Sequence, residues 1–341
     1  AEDYQEEKFD EINKDLTKTN LVVNRLISIM SPGMSLIMNG LNLTVLWFGA
    51  YLINKGSLTL PAMTTFTMYA MQVIMAFMMM TMIFIMLPRA SVSAKRILEV
   101  LDTPLCIKNP ENALQNEDKK GEIEFKNVSF RYPDGEGYVL KNISFHANQG
   151  ETVAIIGSTG SGKSSLINLI PRFFDVNEGE VLVDGINVKD YDQKVLRDKI
   201  GYVSQKAVLF SGTIASNISY GKENATMEEI QKAAEISKSK EFIEKLDDQY
   251  QAHVAQGGKN FSGGQKQRLS IARAVAKDPE IYIFDDSFSA LDYKTDKELR
   301  HALKEQTNQA TTILVAQRIG TILTADRILV LDQGQIVGQG T

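Results

Sequence analysis

At 341 residues the chain is long enough for two domains, and a formal net charge of −5 gives no electrostatic reason to expect a nucleic-acid partner. A single cysteine, Cys106, excludes an internal disulfide framework and fits a reducing compartment. The average composition looks soluble, yet between Arg25 and Arg89 the only charged residue is Lys55.

The opening stretch AEDYQEEKFDEINKD is acidic and helix-like, without the apolar core of a signal peptide. It lacks an initiating methionine, and the end, LDQGQIVGQGT, is as abrupt, so the chain reads as a piece of a longer polypeptide. Two uncharged runs follow, 26–54 and 57–87, each longer than the roughly 20 residues a helix needs to cross a bilayer. The short NKGSL between them, with Gly56 as breaker, predicts a helical hairpin. Lys14, Lys18 and Arg25 flank one end and Arg89, Lys95 and Arg96 the other, which puts both ends in the cytoplasm by the positive-inside rule. The methionines of MQVIMAFMMMTMIFIM read as a face toward lipid or neighbouring helices rather than a dedicated binding surface.

The second helix is expected to run on through RASVSAKRILEVLD into the cytoplasm, so that residues 1–102 form one region. A polar linker over 103–121 then leads to a soluble domain over 122–341. There GEIEFKNVSFRY and VLKNISFHA alternate as antiparallel strands. By contrast ETVAIIG, IYIFDD and TTILVAQ are short apolar runs followed by helical stretches, the pattern of buried parallel strands in an α/β domain.

The chemistry concentrates in four motifs. GSTGSGKS over 157–164 matches G-x-x-x-x-G-K-[ST] between an apolar strand and a helix. In such a loop Gly157, Ser158, Thr159, Gly160, Ser161, Gly162 and, on the helix, Ser165 wrap backbone N–H groups around phosphate. Lys163 reaches the β/γ-phosphates and Ser164 ligates Mg²⁺. Asp285, at the end of the apolar strand in IYIFDD, would supply a carboxylate to that metal site, and Asp286 sits where a base or water-orienting acid would lie. Gln205, just after a strand, is placed to touch the metal or the attacking water. Ser262, Gly263, Gly264 and Gln265 open a long amphipathic helix, a second anion site of use to a phosphate loop if two copies meet head to tail.

Together these motifs resemble the ATP-binding-cassette (ABC) family, specifically the bacterial multidrug-type exporters that fuse membrane helices to a nucleotide-binding domain. The resemblance implies a transmembrane α-helical hairpin, part of a six-helix exporter domain. It is followed by an α/β P-loop ATPase domain with an antiparallel β subdomain and a helical subdomain. It also implies that Tyr132 stacks on adenine, that SALD over 289–292 crosses to a partner domain, and that residues 2–13 form a coupling helix.

Two positions depart from the family pattern. The usual glutamate is Asp286, shorter by one methylene, and the usual histidine of the switch is Gln317. Gln256 also stands where an acid is common. His146, His253 and His301 lie too far along the chain from the switch to replace it. Loss of a placed general base costs roughly 10²–10⁴-fold in rate, and glutamine cannot exchange a proton as histidine does. The expectation is a multi-pass cell-membrane subunit that binds ATP and Mg²⁺ through a cytoplasmic domain. It turns ATP over poorly at its own site and lends its SGGQ to a different half-transporter in a heterodimer. The expected cargo is a small hydrophobic or amphipathic compound, drawn from a lipid environment. A regulatory subunit holding ATP as a clamp is the alternative.

Overall fold

The computed structural model describes residues 2–114, 120–306, 309–317 and 319–341. They fall into two units, Ala1–Pro104 and Leu105–Thr341. The first is two helices, α1 (Glu2–Asn54) and α2 (Leu60–Leu101), both long and apolar enough to cross a membrane. α1 ends as the NKGSL turn predicts. Gly56 adopts φ +74°, its N–H donates to Ile53 O, and Ser57 N donates to Leu52 O, the paired bonds that satisfy terminal helix carbonyls around a left-handed residue. α2 begins at Leu60 rather than residue 57, because Thr59 is extended and Pro61, in the first turn, needs no backbone donor there. The helices pack closely where Gly49 faces Met63: a Cβ on Gly49 would lie 2.4 Å from Met63 Sδ.

No separate coupling helix covers residues 2–13, which are the start of the continuous helix α1. The reason is local. EEKFDEINKDLTK is rich in helix formers and contains neither proline nor glycine, so nothing in it breaks the helix that follows.

The second unit opens with β1 (Ile123–Phe130), β2 (Leu140–Ala147) and β3 (Thr152–Ile156), then the short helix α3 (Lys163–Leu169). β4 (Glu178–Val183), β5 (Ile186–Asn187), α4 (Gln193–Asp198) and β6 (Ile200–Val203) follow. A helical part contains β7 (Gly212–Thr213), α5 (Ile214–Ser219), α6 (Met227–Ile236), α7 (Lys240–Ile243), β8 (His253–Val254) and α8 (Gly263–Ala276). The chain closes with β9 (Ile281–Asp285), α9 (Tyr293–Gln306), β10 (Thr311–Val315), α10 (Ile319–Ile322), β11 (Arg327–Asp332) and β12 (Gln335–Gly340).

Two main sheets form. An antiparallel sheet has the order β2-β1-β4-β5. A larger sheet has the order β12-β11-β3-β10-β9-β6, parallel except for β12. Its central strands are buried on both faces, and the period of two sorts their side chains. Val153, Ile155, Ile281, Ile283, Ile313 and Val315 join the core shared with β1, β2 and α3. Ala154, Tyr282, Phe284 and Leu314 join the core shared with α5, α6 and α8.

Candidate nucleotide-binding site

Four parallel strands end side by side, and each hands one functional segment to the same rim. β3 runs into the glycine loop, its neighbour β10 into Gln317, β9 into Asp285 and Asp286, and β6 into Gln205. Ligands of open α/β sheets bind at this carboxyl edge. A cleft there is lined by Thr159, Gly160, Gly162, Lys163, Ser164, Ser165, Gln205, Asp285, Asp286 and Gln317, with Val139 and Val315 as apolar walls.

The loop turns on three glycines with positive φ, Gly160 at +84° among them. Gly162, at the N-terminus of α3, has φ +102°, and Gly157 has φ +156° with a virtual Cβ only 2.1 Å from Leu331 O. Lys163 folds back over the loop, its ammonium donating to Gly157 O at 2.8 Å and Ser158 O at 2.7 Å and lying 3.4 Å from Ser161 Oγ. Burial lowers its pKa, while Asp286 and Asp285 act in the opposite sense.

Asp285 shares a strand face with Ile281 and Ile283 and is buried among groups adjoining α3. Ser164 Oγ donates to its Oδ1 at 3.1 Å. Burial raises the Asp285 pKa; the Ser164 bond opposes this, and neighbouring Asp286 adds to it. Asp286 leaves the strand in the left-handed region, φ +46°, with its N–H donating to Val315 O at 3.0 Å. Its Oδ2 accepts from Gln317 Nε2 at 2.9 Å and faces Gln205 Nε2 at 3.4 Å. Asp286, Gln205 and Gln317, separated by up to 112 residues, thus meet at one carboxylate oxygen.

The remaining candidates do not line the cleft, although Tyr132 adjoins it. Tyr132 packs edge-on against Phe130 and Phe174, and its hydroxyl hydrogen-bonds Ser165 Oγ at 2.9 Å. Ser262 caps α8: its Oγ accepts from Gln265 N at 3.3 Å while Gln265 Oε1 accepts from Ser262 N at 2.9 Å. Ser262 and Gly263 are exposed, and neither they nor Gly264 and Gln265 line the cleft. Asp292 caps α9, and its bond from Thr295 N holds its carboxyl below the usual aspartate range. His146 pairs with Glu122 at 2.6 Å, His253 sits in β8, and His301 lies 3.6 Å from Glu305. Val139 and Val315 escaped sequence reading because nothing sets them apart from ordinary strand residues.

Comparison with known proteins agrees with this layout. The ABC transporter family model matches residues 140–289, and the ABC transporter transmembrane region matches residues 1–77. An uncharacterized ABC transporter ATP-binding protein of Mycobacterium tuberculosis is 43% identical over all of this chain and 59% of its own length. A putative multidrug export ATP-binding/permease protein of Staphylococcus aureus is 38% identical, again over all of this chain and 59% of its own. The solved structure of a bacterial Atm1-family ABC exporter with ATP bound superimposes with a TM-score of 0.80 at 34% identity, covering 90% of this chain and 54% of that one. The chain therefore spans about three fifths of the curated relatives it matches. It belongs to the ABC transporters, as a membrane protein in which a helical membrane region precedes a cytoplasmic P-loop ATPase domain in the half-transporter arrangement.

Proposed function

We propose that this chain is the ATP-binding subunit of an ABC exporter that moves a hydrophobic or amphipathic compound out of the cytoplasm, and that its own ATP site is impaired in hydrolysis. ATP is held by the glycine loop and Lys163, with adenine against Tyr132. The Ser164–Asp285 oxygen pair suits Mg²⁺, which takes few protein ligands and completes its shell with water and phosphate oxygens. Among the described residues no group of three or more His, Cys, Asp and Glu could form an all-protein cage instead. A bound Mg²⁺ would neutralise charge on the β- and γ-phosphates.

One observation carries the impaired reading: the acid at the hydrolytic position is a short aspartate whose Oδ2 is engaged by the amide of Gln317. The short carboxylate stands back by one methylene from where a glutamate would reach, and the amide beside it cannot relay a proton. Binding groups are intact, so the site retains ATP as a clamp. The exposed Ser262–Gln265 segment then completes a competent site on a different half-transporter, and closure of the two domains drives alternating access.

The test is the full-length chain with its partner, whose own catalytic acid is silenced so that only this site counts. Asp286→Glu combined with Gln317→His should raise ATP hydrolysis by about 10²–10⁴-fold. A rate that scarcely moves removes these two positions as the cause. Recovery from native membranes only as a self-pair defeats the heterodimer.

A further inference from the structure

The segment that follows α2 is fastened to the ATPase unit before it enters β1. Asn109 Nδ2 donates to Asp192 Oδ2 at 2.6 Å, and Asn109 Oδ1 accepts from Gln193 N at 3.0 Å. One exposed asparagine therefore grips both the side chain that caps α4 and the first backbone N–H of that helix. Leu114 N adds a bond to Asp190 O at 3.0 Å. Asp192 does not give up its capping role to do this. Its Oδ1 still accepts from Lys194 N at 2.8 Å and Val195 N at 3.2 Å.

What α4 is joined to makes this grip consequential. Leu196 is fully buried in the core that also holds Leu166 and Leu169 of α3. Arg197 donates from Nε to Pro171 O and from a terminal nitrogen to Arg172 O, both at 3.2 Å, just past the end of α3. Lys277 Nζ donates to Arg197 O and Ile200 O, binding the end of α4 to the start of β6. The helix is thus a crossbar: the segment after α2 holds one end, and the phosphate-loop helix and β6 hold the other.

β6 is the last strand of its sheet, and among the described strands it pairs with β9 alone. An edge strand, supported on one side, shifts more readily than an interior one. It ends at Val203, and Gln205 follows at the rim, opposite Asp286.

We propose that Asn109 is a positioning residue. The segment from Leu105 onward acts as a strap that carries displacement of α2 through Asn109, α4 and β6 to Gln205. The idea rests on the ATP-driven reading above, and it deepens that reading by assigning a physical route between membrane helix and nucleotide. A linker docked only for stability would not need to hold the one helix that leads into the Gln205 strand.

Cys106 provides the probe, being exposed and three residues before Asn109. The full-length protein with its partner, with other cysteines replaced, is labelled at Cys106 with a maleimide fluorophore in lipid nanodiscs. Emission and the binding of radiolabelled ATP–Mg²⁺ are followed in the same samples. Wild type should show an emission shift on ATP binding. Asn109→Ala should bind ATP equally well and lose the shift, as should Asn109→Asp, which sets a like charge against Asp192. Because Asn109 is exposed and Asp192 keeps its own capping bonds, retained ATP affinity reports that the fold is intact. A shift that survives in both variants overturns the strap, as does wild type that binds ATP without a shift. Wild type that binds no ATP overturns the functional reading itself, and the strap with it.

Discussion

Replacing Lys199 by methionine isolates the most buried ionic cluster of the ATPase unit. The Lys199 ammonium donates to Asp184 Oδ2 at 2.9 Å and to Glu280 Oε2 at 2.7 Å. The side chain of Asp184 is 0% exposed and that of Lys199 14%, so methionine would strand a carboxylate with no access to water. Removing one partner of a buried pair costs about 3–5 kcal/mol. Asp184 Oδ1 also accepts from Gly121 N at 2.6 Å and Glu122 N at 3.0 Å, which keeps part of its charge compensated. The low end, about 3 kcal/mol, is therefore expected, equivalent to a fall of roughly 6–12 °C in the melting transition of a unit this size. The assay is scanning calorimetry of the full-length protein, with Asp184→Asn added in a second variant. That double variant removes the stranded charge while retaining an acceptor for Gly121 and Glu122, and should recover most of the loss.

The pH dependence of the same cluster has a definite sign. Burial pushes the Lys199 pKa down, but the bonds to Glu280 and Asp184 outweigh it and leave the pKa above its ordinary value of 10.5. A lysine raised in the folded state contributes fully below its unfolded pKa and loses that contribution only as pH climbs through the folded value. The difference between wild type and Lys199→Met should thus be level across neutral pH and shrink only in strong alkali. A melting change below about 2 °C, or a difference that grows as pH rises above neutral, would refute the assignment of a buried ion pair.

Two further outcomes follow from the site. Lys163→Ala would remove the charge-assisted phosphate contact proposed for its ammonium, worth about 1.5–3 kcal/mol, so calorimetric titration should show ATP affinity at this site falling roughly 10- to 150-fold. Because burial lowers the Lys163 pKa, wild-type affinity should begin to fall at a pH below the ordinary lysine value of 10.5. Ser262→Ala deletes the cap acceptor for Gln265 N and should cost about 1 kcal/mol, read as a small drop in melting temperature, whereas Ser262→Asp should restore that stability.

Those parts of the molecule whose physics is local were legible from the residues. The uncharged runs, the glycine loop between strand and helix, and the Asp285 strand end are contiguous, and each carries its own reason to fold as it does. Non-local geometry was not legible. The strand order β12-β11-β3-β10-β9-β6 places Gln317 between the glycine loop and Asp286, yet no residue of TTILVAQ announces its neighbours. The bond between Asn109 and Asp192 spans 83 residues, and Asn109 itself sits in a polar linker without periodicity. The expectation of a separate coupling helix relied on resemblance, while the residues themselves contain no breaker before α1 turns apolar. Tyr132 shows a related limit: aromatic identity marks a position, but its edge-on packing against Phe130 and Phe174 and its bond to Ser165 depend on tertiary neighbours.

The reciprocal cap at Ser262 and Gln265 bears on how the chain fares alone. Both bonds of the cap close within a single copy, so the start of α8 is ordered before any second ATPase domain arrives. The docking proposed above would require no coil-to-helix transition there, which leaves encounter and orientation, rather than folding, to set the speed of assembly. An unmated copy would equally offer no frayed end at this point for a protease to grip. On the proposed pairing, cellular quality control would have to recognise an unpaired copy by other surfaces.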